Sequence, residues 1–394
     1  MGSRQPSPAD HARPSACVLG GIDLVRALHL GGVACAVAAR RGDPARYSRA
    51  AVRVIEPVDA ASDPGTMMDR LLTFAATEPE PPVLFYDGDW DLLLVSRERD
   101  RLSESFRFVV ADAEVVESVL DKGMLQELAE RLELPMPPAR VIRAGDVRVR
   151  DLGLRFPLIV KPLIRDHRTW RPVARTKAVR VESAAELERT ASDLAARGVD
   201  AVAQEAIPGG EDRIESYHVY VDAAGEVVAE FTGRKLRTFP AEYGYTSALV
   251  ITDQRDVREL GRELVRRLGL VGVAKLDFKR GSGGQLWLID VNPRFNLWHH
   301  PAAVAGVNLP LFVYCDLAGL PRPAPTPVVP GVCWCSPRHD LQAARRSGLG
   351  VRRWLRFVAT CDTISGFAVD DPFPLLRAIV HRVVRRLTVA ASRS

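Results

Sequence analysis

Lysine is scarce in this sequence. Of its 54 basic residues only six are lysines: Lys122, Lys161, Lys177, Lys235, Lys275 and Lys279. Where arginine is the default cation, a retained lysine points to a site that needs a compact ammonium on a flexible stem, not a planar fork. Cysteine is sparse too. The six are scattered, Cys333-Trp334-Cys335 is the one close pair, and no second Cys/His pair stands at zinc-site spacing. That excludes a zinc framework and favours free thiols in a reducing compartment. No apolar run approaches the ~20 residues that span a bilayer. Residues 1–14 are polar and proline-rich and lack the apolar stretch of a signal peptide, so they read as a loose tail of a cytoplasmic protein. A net charge of +5 without aromatic-interleaved basic runs or zinc-finger spacing gives no case for nucleic acid as a partner.

What remains is ordinary globular composition, 47% hydrophobic and 26% charged. At 394 residues, the chain needs two or three cores. Residues 15–111 alternate short apolar strands with helices. Strands are expected at 16–19, 33–38, 52–55 and 83–86, with helices at 22–30 and 67–76. Short links between them imply a parallel sheet. Gly20-Gly21 is a turn in that domain and lacks the remaining glycines of a dinucleotide fingerprint. A helix is expected over 112–134, closed by Pro135, Pro137 and Pro138.

A β-rich stretch follows, with strands at 158–161, 177–181 and 202–206. Ser183 and Glu186 form a capping box for a helix to 197. Hairpins are expected at 219–222/227–232 and 271–279/286–292, with a helix over 257–268 between them. Residues 321–330 read as a proline-rich linker. The tail ends in an amphipathic helix over 375–389. Its apolar face (Leu376, Ile379, Val380, Val383, Leu387) either docks on the protein or makes weak contact with an anionic membrane surface, and docking is the plainer expectation.

The second hairpin carries the chemistry. Period two places Asp290, Asn292 and Arg294 on one face of a strand. Asp277 on the partner strand shares that face if the register matches. Two carboxylates and an amide oxygen are hard donors of the kind Mg²⁺ takes, beside phosphate oxygens and water. Buried together they are costly without a cation.

In this setting Asp290-Val291-Asn292-Pro293-Arg294, after an Asp-bearing strand, resembles the end of an ATP-grasp domain, with Asp290 where Glu is usual. Upstream, Asp121-Lys122 and Leu134-Pro135-Met136-Pro137 are similar to that family's entry helix. Pro157 to Pro162 is similar to its strand with a phosphate-binding lysine, here Lys161. Gln204-Glu205-Ala206-Ile207 is similar to its adenine-binding hinge, and Glu211-Asp212 follow where an acid meets the ribose. Gly233-Arg234-Lys235, with Arg237 and Pro240, resembles its basic strand facing substrate. The family's glycine-rich flap is replaced by 163–176, where Arg165, Arg168, Arg171 and Arg175 stand instead.

The resemblance implies an ATP-grasp fold, α/β and α+β, over 112–320 in two lobes (about 112–200 and 201–320). An α/β, Rossmann-like pre-ATP-grasp domain at 15–111 precedes it, and a linker and C-terminal extension at 321–394 follow it. It implies ATP held by Lys122, Lys161, Lys177, Gln204, Glu205, Ile207 and Asp212. Mg²⁺, with Mn²⁺ as substitute, falls to Asp277, Asp290 and Asn292, and catalytic cations are expected at Arg294, Lys235 and Arg237. The activity implied is a carboxylate–amine ligase working through an acyl phosphate, with a small-molecule carboxylate and an amine as substrates. The amino-acid ligases and D-aspartate ligase-like proteins fit this layout. The resemblance also admits a homodimer. The alternatives are a biotin-carboxylase-like enzyme, which the lack of a biotin-acceptor lysine motif argues against, and a nucleotide-binding scaffold without catalysis. Five outlying residues are weighed as well. His218 and the pair His299-His300 read as structural before catalytic, and Tyr47 and Arg49 stand where a first domain could reach a substrate carboxylate.

Overall fold

The computed structural model describes residues 13–145, 152–163, 170, 173–174, 176–377 and 379–381. Four short strands, β1 (Ala16–Leu19), β2 (Cys35–Ala38), β3 (Ala51–Ile55) and β4 (Val83–Tyr86), form a parallel sheet in the order β3-β2-β1-β4. β1 and β4 are buried along their whole length, which is why they read as unbroken apolar runs. The Gly20-Gly21 turn lies against the end of β4. The Gly21 N–H donates to Asp87 Oδ2 at 2.8 Å, and a Cβ on Gly20 would meet the Asp87 carboxyl at 2.9 Å.

The helix expected over 112–134 is two helices, Ala113–Leu120 and Lys122–Arg131. Asp121 breaks it with extended backbone and caps the second helix, accepting from the Gly123 and Met124 N–H groups at 2.7 and 3.0 Å. The break matters because it lets the Lys122 N–H donate to Leu163 O, tying the helix start to the small sheet.

That sheet comprises β5 (Ala139–Ile142), β6 (Leu158–Pro162), β7 (Val179–Val181) and β8 (Ala201–Glu205), antiparallel in the order β5-β8-β6-β7. Helix Ala184–Ala195 covers it through Leu187, Ala191 and Leu194. Its capping box is shifted by one residue. Ser183 Oγ accepts from the Glu186 N–H, but the Glu186 carboxylate accepts from the Glu182 N–H, not from Ser183. The arginines expected in the 163–176 loop lie outside the described residues.

The large sheet has seven strands: β9 (Ile214–Val221), β10 (Val227–Phe239), β11 (Tyr245–Thr252), β12 (Gly272–Arg280), β13 (Leu286–Asn292), β14 (Cys333–Cys335) and β15 (Thr363–Ile364). Their order is β13-β12-β9-β10-β11-β14-β15, antiparallel except for β14 with β15. The first hairpin is longer than its sequence signal, the second matches its expected span to within one residue, and β11, β14 and β15 are additions to the expected strands. β14 carries Cys333 and Cys335 onto the edge of β11, so residues beyond the proline-rich stretch complete this sheet. The stretch itself is anchored, with the Val329 N–H donating to Ala305 O at 2.8 Å.

A buried polar network ties the C-terminal segment to the first sheet. Asp371 accepts from Ser48 Oγ at 2.7 Å and from the Arg49 N–H at 3.1 Å, while buried Arg26 donates to Ile364 O and Asp371 O. Of the helix expected over 375–389, only the part up to His381 falls among the described residues. There Leu376, Ile379 and Val380 are exposed, so the expected docking of that face is not seen. Among the described residues no helix is long and apolar enough to cross a membrane.

Candidate active site

The β12–β13 register pairs Asp277 directly with Asp290 and Lys275 with Asn292. Directly paired residues of an antiparallel ladder project to the same face. The two carboxylates therefore point together into a cleft between the small and large sheets. Its walls include Lys122, Lys161, Lys177, Gln204, Glu205, Ile207, Lys235, Asp277, Asp290 and Asn292. These residues come from seven separated stretches of chain, and all were singled out in the sequence.

Each aspartate is met by lysine. Asp290 Oδ1 lies 2.5 Å from Lys122 Nζ, and its Oδ2 accepts from Asn292 Nδ2 at 3.0 Å. Asp277 Oδ2 lies 2.8 Å from Lys275 Nζ and 3.2 Å from Lys235 Nζ, while its Oδ1 accepts from Ser216 Oγ. Burial pushes the Asp277 carboxyl up, but Lys235 and Lys275 outweigh it and hold the group well below the usual carboxylate range. Asp290 behaves the same way: withdrawal from water raises it, and Lys122, Lys161 and Lys275 bring it far down. Both are ionised at neutral pH. Lys161 donates to Gln204 Oε1 at 3.2 Å and to Ile289 O at 3.4 Å. Burial, with Lys122 adding repulsion, lowers its ammonium to about 8.

Lys279 also lines the cleft, and Lys275 reaches it through Asp277. All six lysines of the chain thus gather around one cavity. Lys122, Lys161, Lys235 and Lys275 surround two aspartates, leaving surplus positive charge where an anion would enter. A polyphosphate satisfies that surplus. Lys275 was not among the candidate site residues, although its scarcity and its place two residues before Asp277 would have found it.

Two expectations are corrected. Asp212 is exposed and does not line the cleft; its neighbour Glu211 does. Arg237 turns away from the cleft. It forms a two-point pair with the fully buried Asp340, both contacts at 2.7 Å, and its guanidinium carbon lies 4.3 Å from the Phe357 ring centroid. It belongs to the packing of helix Pro337–Arg346 on β10, not to the reacting face. Arg294 stands at the rim with its donors already engaged: Nε to Asp89 Oδ1 at 2.5 Å, and one terminal nitrogen to Asp87 O at 2.7 Å. Its other terminal nitrogen reaches Asn292 Oδ1 at 3.4 Å. Glu205 lines the cleft by its position at the end of β8, but its carboxylate is held outside by Arg155 at 2.9 Å.

The histidines are inside the protein. His218 stacks on Phe231 with centroids 4.3 Å apart and planes 7° from parallel, and His299 meets it edge-on. Neither ring has a hydrogen-bond partner. Burial lowers the His299 imidazole to about 3, and burial together with Lys275 takes His218 well below its ordinary value. Both are neutral aromatic packing. Tyr47 accepts from the Gly42 N–H, and Arg49 donates to Asp370 O.

No family model matches the chain. In sequence it is 24% identical over 289 residues to a D-aspartate ligase of Enterococcus faecium, covering 69% of this chain and 68% of that one. It is 29% identical over 208 residues to a D-alanine–D-alanine ligase of Halorhodospira halophila, covering 48% of this chain and 62% of the relative, so the match spans less than two thirds of that protein. In structure it is similar to an N5-carboxyaminoimidazole ribonucleotide synthetase solved as its ADP complex, with a TM-score of 0.64 at 14% identity over 85% of each chain. It is also similar to an L-amino acid ligase from Bacillus licheniformis, with a TM-score of 0.59 at 16% identity over 78% of this chain and 75% of that one. The fold is the ATP-grasp fold, preceded by an α/β domain.

Proposed function

We propose that the protein is an ATP-dependent carboxylate–amine ligase that makes an amide or peptide bond through an acyl phosphate. The observation that carries this reading is the gathering of all six lysines around the paired Asp277 and Asp290 in the ATP-grasp cleft. The names of its relatives in sequence and of the L-amino acid ligase with the same fold support it.

Asp277, Asp290 and Asn292 suit Mg²⁺ by chemistry. Two ionised carboxylates face each other, and the donors are hard oxygens. The Asn292 amide presents nitrogen to Asp290 and oxygen to Arg294, so it would hold the ion through its oxygen only with the amide turned over. When bound, the ion neutralises the charge of the transferring phosphoryl group.

The chain's own residues do the rest. Lys122 and Lys161 release their internal partners and hold phosphate oxygens. The end of β8, from Gln204 to Ile207, presents backbone groups to adenine, and Glu211 stands nearer the ribose than Asp212. A carboxylate oxygen attacks the γ-phosphorus, the bridging P–O bond breaks, and ADP leaves with the electron pair. Lys235 and Lys275, both on Asp277, face the acyl phosphate so formed. An amine nitrogen attacks the carbonyl carbon, the C–O bond to phosphate breaks, and the nitrogen gives up a proton. In such transfers catalysis is mostly positioning and charge neutralisation.

The need for ATP and six free cysteines support a cytoplasmic setting for this activity. A pooled screen of D- and L-amino acids and small peptides for ADP and phosphate release tests the proposal. ATP hydrolysis that no acceptor stimulates, with no new amide detected by mass spectrometry, would defeat it.

A further inference from the structure

Three contacts on the wall of the cleft join the strand entry before β7 to the turn between β10 and β11. The Lys177 backbone N–H donates to Tyr243 O at 3.1 Å. The Lys177 ammonium lies 4.0 Å from the centroid of the Tyr245 ring, a cation–π distance. The Arg180 guanidinium stands close enough to the Tyr243 hydroxyl to interact with it. All three cross from the small sheet to the large one, and Lys177, Ala178, Tyr243 and Gly244 line the cleft.

The turn that makes these contacts is tightly specified. Tyr243 has φ +54°, in the left-handed region that bulky residues seldom adopt. At Gly244 an added Cβ would lie 2.0 Å from Pro240 O, so position 244 takes no side chain. A residue keeps an unfavourable backbone conformation where its surroundings fix it, and such sites concentrate at ligand clamps. No step of the chemistry above uses Tyr243.

We propose that Tyr243 is a positioning residue whose turn clasps Lys177 and the β7 edge against the large sheet, fixing one wall of the nucleotide cleft. The clasp couples nucleotide capture to β10, the strand that carries Lys235. This inference rests on the reading of the cleft as an ATP site. Its effect falls on how firmly nucleotide is held, more than on the rate of transfer once nucleotide is in place.

The test is nucleotide affinity by calorimetry with Mg-ADP, alongside KM for ATP and kcat. Gly244→Ala forces the turn open and should weaken binding about tenfold. Tyr243→Phe removes only the hydroxyl and should cost about threefold to fivefold, the worth of one hydrogen bond. KM for ATP should rise in both while kcat changes less, and thermal melting should stay close to that of the parent. Arg180→Ala combined with Tyr243→Phe should be no weaker than the worse single variant, because both remove one contact. If Gly244→Ala does not fold, the Arg180/Tyr243 cycle decides alone. Unchanged affinity, or losses that simply add, would overturn the clasp. Failure of the unaltered protein to bind Mg-ADP would overturn the reading of the cleft, and the clasp with it.

Discussion

Asp290 reaches back across 168 positions of sequence to Lys122, its Oδ1 2.5 Å from the ammonium. One partner lies near the end of the last strand of the hairpin, and the other opens a helix that exists only because Asp121 interrupts the longer one. The pair joins the two ends of the site directly. The Asp290 carboxylate lies within the cleft, yet 32% of its side chain still opens onto it, which leaves a path for a phosphate to displace the contact.

Asp290→Asn keeps the shape and removes one charge. Nucleotide should still bind through the end of β8, because adenine contacts are untouched. ADP formation should fall on the order of a hundredfold or more, the usual cost of removing one group that stabilises transition-state charge. Asp290→Glu should retain activity, since it lengthens the same ligand by one methylene. Measuring ADP release at saturating Mg²⁺ decides this. Near-normal turnover in Asp290→Asn would place the metal elsewhere.

Lys161 gives the site a pH dependence. Its ammonium is lowered to about 8, against an ordinary value near 10.5. In the free protein it therefore loses its proton as pH rises through 8, while bound polyphosphate favours the charged form. ATP affinity should fall above about pH 8, and binding near that pH should take up a proton. In folding terms the sign is likewise fixed: a depressed lysine costs stability below pH 8, and the cost fades between about 8 and 10.5. Calorimetry in buffers of different ionisation enthalpy reads the proton directly. Lys161→Ala should weaken ATP about tenfold to a hundredfold and abolish the uptake. Uptake that persists in this variant would assign the titration to another group.

Asp340 separates structure from catalysis. It accepts from Arg237 twice, from Ser247 Oγ at 3.0 Å and from Trp354 Nε1 at 3.0 Å, and it has no exposed surface. Asp340→Ala leaves Arg237 largely buried without its partner, which should cost about 3 kcal/mol of stability. Arg237→Gln should likewise lower the melting temperature while leaving kcat/KM per folded molecule close to normal. A large loss of kcat with an unchanged melting temperature would return Arg237 to the active site.

The sequence made the site more legible than its surroundings. Alternation on β13 is a local property, so Asp290 and Asn292 could be placed on one face from period two alone, and Asp277 joined them on the condition that the hairpin register matched. Lysine scarcity pointed at the same cavity, because composition had removed the background. The failures share one cause. Arg237 carries the charge of a catalytic residue, but its partner lies 103 positions away on an element that no periodicity ties to β10. Asp212 and Glu211 are adjacent, and which of them faces the cleft depends on a short 3-10 turn, Glu211–Arg213, that composition does not orient. β14 is three residues long, too short to show a period, and only pairing with β11 makes it a strand.

His299 offers a measurement of how the buried imidazoles weigh on the fold. Its ring is fully buried, has no hydrogen-bond partner, and is lowered by burial to about 3 from an ordinary 6.5. The unfolded chain therefore binds a proton that the folded chain refuses between about pH 6.5 and 3. Stability tied to this group is full above 6.5 and lost as pH falls through that window, with a slope approaching ~1.4 kcal/mol per pH unit. His299→Leu keeps an apolar side chain in the aromatic cluster around Phe295 and removes the proton site. Urea unfolding at pH 7.5 and at pH 5 should show a smaller fall in stability for the variant than for the parent. The difference should be about 1–2 kcal/mol, because pH 5 lies about 1.5 units into the window. His218, lowered by burial and by Lys275, adds a parallel contribution that remains in this variant. An identical fall in both proteins would mean that His299 becomes protonated inside the folded core, and that its ring has found a partner there.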